Sequence, residues 1–195
     1  MGKIFCLMGK SASGKDTIYS RLLQHEELNL KHVVPYTTRP IRSGETDGET
    51  YFFCTEEEAL RMEQEGKIIE LRAYHTVHGI WKYFTADDGQ IRLDLADYLL
   101  IGTLETYEKI RAYYGNENVC PVYVWVDDGV RLERALVRER SQREPKYAEM
   151  CRRFLADEED FSEENLNRLG ISRRFENRDV EKILEEIILY IRTEK

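Results

Sequence analysis

The chain has 195 residues, 42% of them hydrophobic and 34% charged, which suits one globular domain with a sizeable core, and no second independent domain is expected. A formal net charge of −8 argues against a general affinity for nucleic acid or anionic membranes. No apolar run approaches the ~20 residues of a membrane span, and the opening MGKIFCLMGK is too short an apolar stretch for a secretory signal. A cytoplasmic protein acting on small molecules, as monomer or homodimer, is the expectation.

Strand-like and helix-like segments alternate from end to end, which predicts an α/β fold. KIFCLM (Lys3 to Met8) reads as a buried strand, and KDTIYSRLLQHE after it sets Ile18, Leu22 and His25 at helical spacing. Between Val34 and Thr85 the texture changes. YFFCT, KIIELRAY and IWKYFT read as short strands, and EEEALRMEQEG as a helix stopped by Gly66, so a small mixed-β subdomain is inserted here as a candidate second ligand site. DYLLIGT (97–103) and VCPVYVWV (119–126) are near-continuous apolar runs of the kind a parallel sheet shows when both faces are covered. LETYEKIRAYYG links them as a helix ending at Gly115. From Arg131 to Arg153 eight basic residues outnumber four acidic ones, a basic island on an acidic chain, with a break between two helices at Pro145. The closing helix aligns Val180, Ile183, Leu184, Ile187, Ile188 and Ile191 on one stripe.

Cys6, Cys54, Cys120 and Cys151 are scattered without a CxxC pair, so buried free thiols are expected rather than a disulfide framework or a zinc site. His75 and His78 lie three apart but lack a third ligand at a recognised spacing, which makes a metal site there a weak reading.

The stretch GKSASGKDT carries Gly9, Gly14 and Lys15 at the GxxxxGK spacing, after a strand and before a helix. Small residues at Ser11, Ala12 and Ser13 let successive amides point inward, the helix adds its positive end, and Lys15 supplies a compact charge for the outer phosphates. The following position departs from the pattern. Asp16 stands where Ser or Thr would help hold magnesium, so either Asp16 serves the metal, or Thr17 does and Asp16 favours the helix start.

YTTRPIRSGETDGETYFF offers a second anion site, because Arg39 and Arg42 flank Pro40 while Gly44 and Gly48 allow turns that return Tyr51 toward both guanidinium groups. This passage resembles the guanylate kinase signature TTRxxRxGExxGxxY, through Thr37, Thr38, Arg39, Arg42, Gly44, Glu45, Gly48 and Tyr51.

The resemblance implies a P-loop three-layer α/β sandwich with a parallel central sheet (core 1–33, 96–130 and 168–195), an inserted mixed-β GMP-binding subdomain (34–95) and an Arg-rich helical lid (131–167). It implies ATP and Mg²⁺ at Gly9, Lys10, Ser11, Ala12, Ser13, Gly14, Lys15, Asp16 and Thr17, with Asn177 beside the adenine; the metal contact, which the charge argument gives to Asp16 or else to Thr17, stays open between those two. GMP would be held by Arg39, Arg42, Tyr51 and Tyr83, its base read by Glu70. Lys15, Arg140 and Arg152 would touch the transferring phosphoryl group, with Arg138 and Arg153 as register alternatives for the two arginines. The acidic run Asp157 to Asp160 would pair with the open lid.

The chain also departs from the family. Pro35 replaces a hydroxyl residue, with Tyr36 the nearest substitute; Gly102 and Thr103 stand where carboxylates are expected; and residues around HTVHGIWK are extra. Two other readings compete: a kinase of a different phosphorylated acceptor, such as ribose 1,5-bisphosphate, which resembles this chain in the GKD of its phosphate loop but has no reason to keep the GMP clamp, and a guanylate-kinase-like binding module without catalysis, a class that tends to lack a working phosphate loop.

Overall fold

A computed structural model describes residues 1–42, 44–76 and 79–195; His78 of the proposed histidine pair lies outside the described residues. Strand β1 (Ile4–Met8) forms the centre, because alternation turns Ile4, Cys6 and Met8 to one face and Phe5 and Leu7 to the other, all fully buried. Helix α1 (Lys15–Leu23) follows it, then a 3-10 turn (Glu26–Leu28) and strand β2 (Leu30–His32). Expected to run on through His25 and Glu26, the helix ends at Leu23 instead, and His25 starts the 3-10 turn.

The inserted region holds β3 (Tyr36–Thr37), β4 (Phe52–Phe53), α2 (Glu56–Gln64), β5 (Ile68–Thr76) and β6 (Gly79–Ala86). A second core segment supplies β7 (Asp97–Ile101), α3 (Leu104–Tyr114) and β8 (Val119–Trp125). Then come α4 (Asp128–Arg140), α5 (Tyr147–Asp160), α6 (Glu163–Arg168), β9 (Phe175–Glu176) and α7 (Val180–Glu194).

The central sheet runs β2-β7-β1-β8-β9 with every pairing parallel. One face is covered by α1 and α7, through Ile18, Leu22, Ile183, Leu184, Ile187 and Ile191. On the other, α3 packs Leu104, Tyr107 and Ile110 beside Phe161, Leu166 and Ile171. This is the three-layer sandwich that the continuous apolar runs predict. Gly115 ends α3 at φ 93°, as read from the sequence.

The second sheet, ordered β4-β3-β6-β5, is mixed: β3 runs parallel to β4 and antiparallel to β6, and β6 antiparallel to β5. Its small core of Ala59, Phe84 and Ala86 is completed by Tyr36, Met62 and Leu71. Helix α2 begins with a capping box between Thr55 and Glu58. The loop after β1, the insertion after β2 and the basic helices after β8 all leave the carboxyl edge of the central sheet, where ligands of open parallel sheets gather. No helix among the described residues is long and apolar enough to cross a membrane. All four cysteines are free thiols, and Cys151 is exposed rather than buried.

Candidate active site

The glycine-rich loop turns through two residues in the left-handed region, Ala12 at φ 63° and Gly14 at φ 85°. Close packing leaves little freedom at its first residue, since a Cβ on Gly9 would stand 2.7 Å from the Val124 carbonyl. Ser13 is fully buried, and the Asn177 Nδ2 donates to its carbonyl at 2.8 Å. Asn177 is therefore a strap on the loop from the far end of the chain, not a side chain open to an adenine; it is 3% exposed.

Lys15 and Asp16 open α1, with the Lys15 ammonium 4.0 Å from the Asp16 carboxylate. Asp16 enters no other ion pair among the described residues and is exposed, as is Thr17. Lys10 turns away from this cradle. Its Nζ lies 2.7 Å from the Glu158 carboxylate and 3.4 Å from Asp128, so its side chain ties the loop to α5, and only its backbone belongs to the cradle.

Arg131 completes that tie. Almost wholly buried over the Phe154 ring, its guanidinium donates to the Ser11 carbonyl at 3.0 Å, to Asp128 at 2.7 Å and to Glu158 at 2.6 Å. Asp157 accepts the Ser11 backbone N–H at 2.7 Å. The acidic run thus pairs with Arg131 of the basic helices through Asp157 and Glu158, and in addition grips the glycine-rich loop at the Ser11 amide and the Lys10 ammonium. Nothing local in the sequence announces this cluster; Lys10 and Glu158 are 148 residues apart.

The basic helices give the expected arginines different surroundings. Arg138 and Arg153 line a narrow cleft with Ser11, Arg131 and Phe154, beside the phosphate loop. Arg140 and Arg152 are exposed and do not line it. Glu149 accepts from both Arg152 and Arg153 at 2.8 Å, and the two guanidinium groups hold its carboxyl down to about 2. All four arginines are exposed, and of them the register alternatives, Arg138 and Arg153, are the two that border Ser11 through this cleft.

On the inserted sheet Arg39 is 4% exposed, its fork closed by Glu45 at 2.7 and 2.6 Å, with the rings of Tyr51 and Phe53 at 5.1 and 5.2 Å. The Arg39 hydrogen bond, then the Arg42 backbone N–H, hold the Glu45 carboxyl down to about 2. Arg42 is exposed and enters no ion pair among the described residues. Tyr51 packs edge-on against Tyr83 at 5.6 Å, joining two expected acceptor residues, and burial pushes its hydroxyl pKa up.

Glu70 is buried, accepting from Thr85 Oγ1 at 2.9 Å and from Arg72 Nε at 3.1 Å. Arg72 was not singled out in the sequence; its signal is strand alternation, two residues from Glu70. Tyr36 does not substitute for the hydroxyl lost at Pro35. It stacks on Phe84 and its hydroxyl donates to Asp88 at 2.7 Å. Thr103, where a carboxylate is expected, caps α3 by accepting the Thr106 N–H.

Residues 1–80 match the guanylate kinase family. The chain is 40% identical over 70 residues to the guanylate kinase of Anaplasma phagocytophilum, which is 36% of this chain and 33% of the relative. It is 39% identical over 84 residues to the guanylate kinase of Caldanaerobacter subterraneus subsp. tengcongensis, 43% of this chain and 40% of the relative. The matched stretch thus spans well under half the length of these curated relatives. Over 99% of its length the chain shares its fold with the crystal structure of guanylate kinase from Anaplasma phagocytophilum, at a TM-score of 0.66 and 24% identity, covering 86% of that chain. The matched residues hold the phosphate loop, Arg39, Arg42, Tyr51 and Glu70, whereas Tyr83, the basic helices and Asn177 lie beyond them.

Proposed function

We propose that the chain is a nucleoside monophosphate kinase that transfers the γ-phosphoryl group of ATP to GMP. One observation carries the reading: the stretch similar to guanylate kinases contains both anion sites, the loop Gly9–Thr17 and the clamp Arg39, Arg42 and Tyr51, and both leave the same edge of the central sheet.

In this reading the inward amides of Gly9 to Lys15 and the Lys15 ammonium hold the donor phosphates. Arg39, Arg42, Tyr51 and Tyr83 hold the acceptor phosphate. Once a phosphate arrives, Arg39 exchanges part of its fork from Glu45 to the phosphate oxygens, and Arg42 needs to give up no ion partner to do the same. Phosphoryl transfer asks for in-line placement, charge neutralisation and exclusion of water, and little covalent chemistry. The helices of 131–167 supply the last two, with Arg138 and Arg153 lining a cleft beside Ser11 of the phosphate loop. ATP is a substrate here.

Mg²⁺ fits the donor set. No cluster of three or more acidic, histidine or cysteine side chains among the described residues could cage a metal, but Mg²⁺ on a nucleotide takes one or two protein oxygens, with phosphate and water supplying the rest. Asp16, exposed at the start of α1 with Lys15 as its one ion partner among the described residues, offers such an oxygen, and Thr17 a second. Bound there, the ion would neutralise the bridging phosphate oxygens.

A coupled assay with ATP-Mg and a panel of GMP, dGMP, AMP, UMP and ribose 1,5-bisphosphate tests the proposal. ADP release dependent on GMP supports it. Release with ribose 1,5-bisphosphate alone would refute it in favour of the other kinase, and no release with any acceptor would refute it in favour of the binding module.

A further inference from the structure

Every residue of the glycine-rich loop brings one N–H and one carbonyl, and the loop spends them unevenly. The Ser11 N–H donates to Asp157 at 2.7 Å and the Ser13 N–H to the Lys10 carbonyl at 3.2 Å. The N–H groups of Ala12, Gly14, Lys15, Asp16 and Thr17 have no partner among the described residues. The last three lie in the first turn of α1, whose amides no carbonyl of the helix can reach. A trans peptide points its carbonyl and its N–H in opposite directions. Arg131, drawing the Ser11 carbonyl toward α4 at 3.0 Å, therefore turns the Ala12 N–H the other way, and Asn177 does the same for the Gly14 N–H through the Ser13 carbonyl.

Ser11 is thus held from both sides by the basic helices, its N–H by α5 and its carbonyl by α4, and it also borders the cleft of Arg138 and Arg153. The helical repeat joins the two facts. On α5, Asp157 follows Arg153 by four positions; on α4, Arg131, Ala135 and Arg138 follow one another at helical spacing, so each helix carries its contact with Ser11 and its cleft arginine on one face. The bond from Asp157 grips the loop backbone directly, whereas Glu158 touches the side chains of Lys10 and Arg131.

We propose that Asp157 is a positioning residue for phosphoryl transfer: it withdraws the Ser11 amide from the donor site and sets the distance between the phosphate loop and Arg153. This inference rests on the kinase reading of the preceding subsection. The donor phosphates take the amides of Ala12 and of Gly14 to Thr17 together with the Lys15 ammonium, while Asp157 contacts Ser11 and Arg131. Loss of the Asp157 carboxylate leaves the donor set in place but frees α5 to drift from the loop, and misplacing a group at the reacting centre by about an ångström costs up to about 100-fold in rate. The transfer step suffers, and ATP binding does not.

The test compares Asp157→Ala with Asp157→Asn, which keeps an oxygen for the Ser11 N–H. At saturating ATP-Mg and GMP, Asp157→Ala is expected to lose about tenfold or more in kcat, while its Kd for ATP-Mg, measured by titration calorimetry, stays within about threefold of the wild type. Asp157→Asn should recover kcat to within about threefold of the wild type, because the backbone bond survives in neutral form. Amide exchange followed by NMR on the wild type needs no variant: the Ser11 amide should be protected before nucleotide is added, and ATP-Mg should slow exchange at Ala12 and Gly14 to Thr17 and leave Ser11 unchanged. A melting curve shows whether Asp157→Ala is folded; if it is not, the exchange pattern decides. A folded Asp157→Ala with wild-type kcat, a loss that falls on ATP binding instead, an Asp157→Asn as impaired as Asp157→Ala, or a Ser11 amide protected only by nucleotide would each overturn this inference while GMP-dependent turnover by the wild type upholds the kinase reading. A wild type that turns over no acceptor would overturn both.

Discussion

Replacing Arg131 with methionine removes the cation at the centre of the tie between the phosphate loop and α5 while keeping most of the volume over Phe154. The change leaves Asp128, Asp157 and Glu158 facing one another with Lys10 as the remaining cation, and leaves the Ser11 carbonyl without the guanidinium. Removing one partner of a fully buried ion pair costs about 3–5 kcal/mol. Here the Asp128 and Glu158 side chains are 49% and 37% exposed and can take up water when released, so the low end applies, about 3 kcal/mol. For a domain of this size that corresponds to a fall in Tm of about 6–12 °C. Thermal and urea unfolding followed by circular dichroism measure the shift, and limited proteolysis between α4 and α5 shows whether that segment loosens first. Glu158→Gln, which leaves Arg131 its Asp128 partner, should cost only about 1 kcal/mol. An Arg131→Met protein melting within about 2 °C of the wild type, with no new cleavage, would refute the reasoning and show that desolvation cancels the attraction within the cluster.

Three further outcomes are expected. Asn177→Ala removes the donor to the Ser13 carbonyl and should destabilise by about 1–2 kcal/mol while raising the KM for ATP more than it lowers kcat, which steady-state kinetics separate. Lys15→Met should lower kcat by about 100-fold or more with a near-native melting curve, whereas Arg140→Ala should matter less than Arg138→Ala, because only Arg138 lines the cleft at the phosphate loop. Glu45, held down to about 2 by the Arg39 hydrogen bond, contributes stability that is full above its ordinary value of 4.5 and is lost as pH falls through about 2; Glu45→Gln should flatten the acid limb of a Tm-versus-pH curve in that window.

Elements of the fold that bury both faces were readable as runs of apolar residues, as β1, β7 and β8 show, and α7 through its stripe. The short edge strands β2 and β9 were not. At three and two residues they have no periodicity to read and exist because a neighbouring strand pairs with them. At the site, the glycine spacing and the two-arginine passage were legible because backbone geometry demands those residues locally. The partners of Lys10, Asp157 and Asn177 were not, since each contact joins residues more than a hundred positions apart. Arg72 stood in plain view two residues from Glu70, but only the strand register shows that the two share a face.

The strap from Asn177 to the Ser13 carbonyl bridges 164 positions. During synthesis the glycine-rich turn leaves the ribosome before its fastening, which arrives only after the insertion and the basic helices have been made. Until then Ser13 lacks this hydrogen bond, and the strand β9 that carries Asn177 cannot add to the sheet edge. The turn is therefore made before the strand that fastens it, and its last hydrogen bond waits on the pairing of β9 with β8.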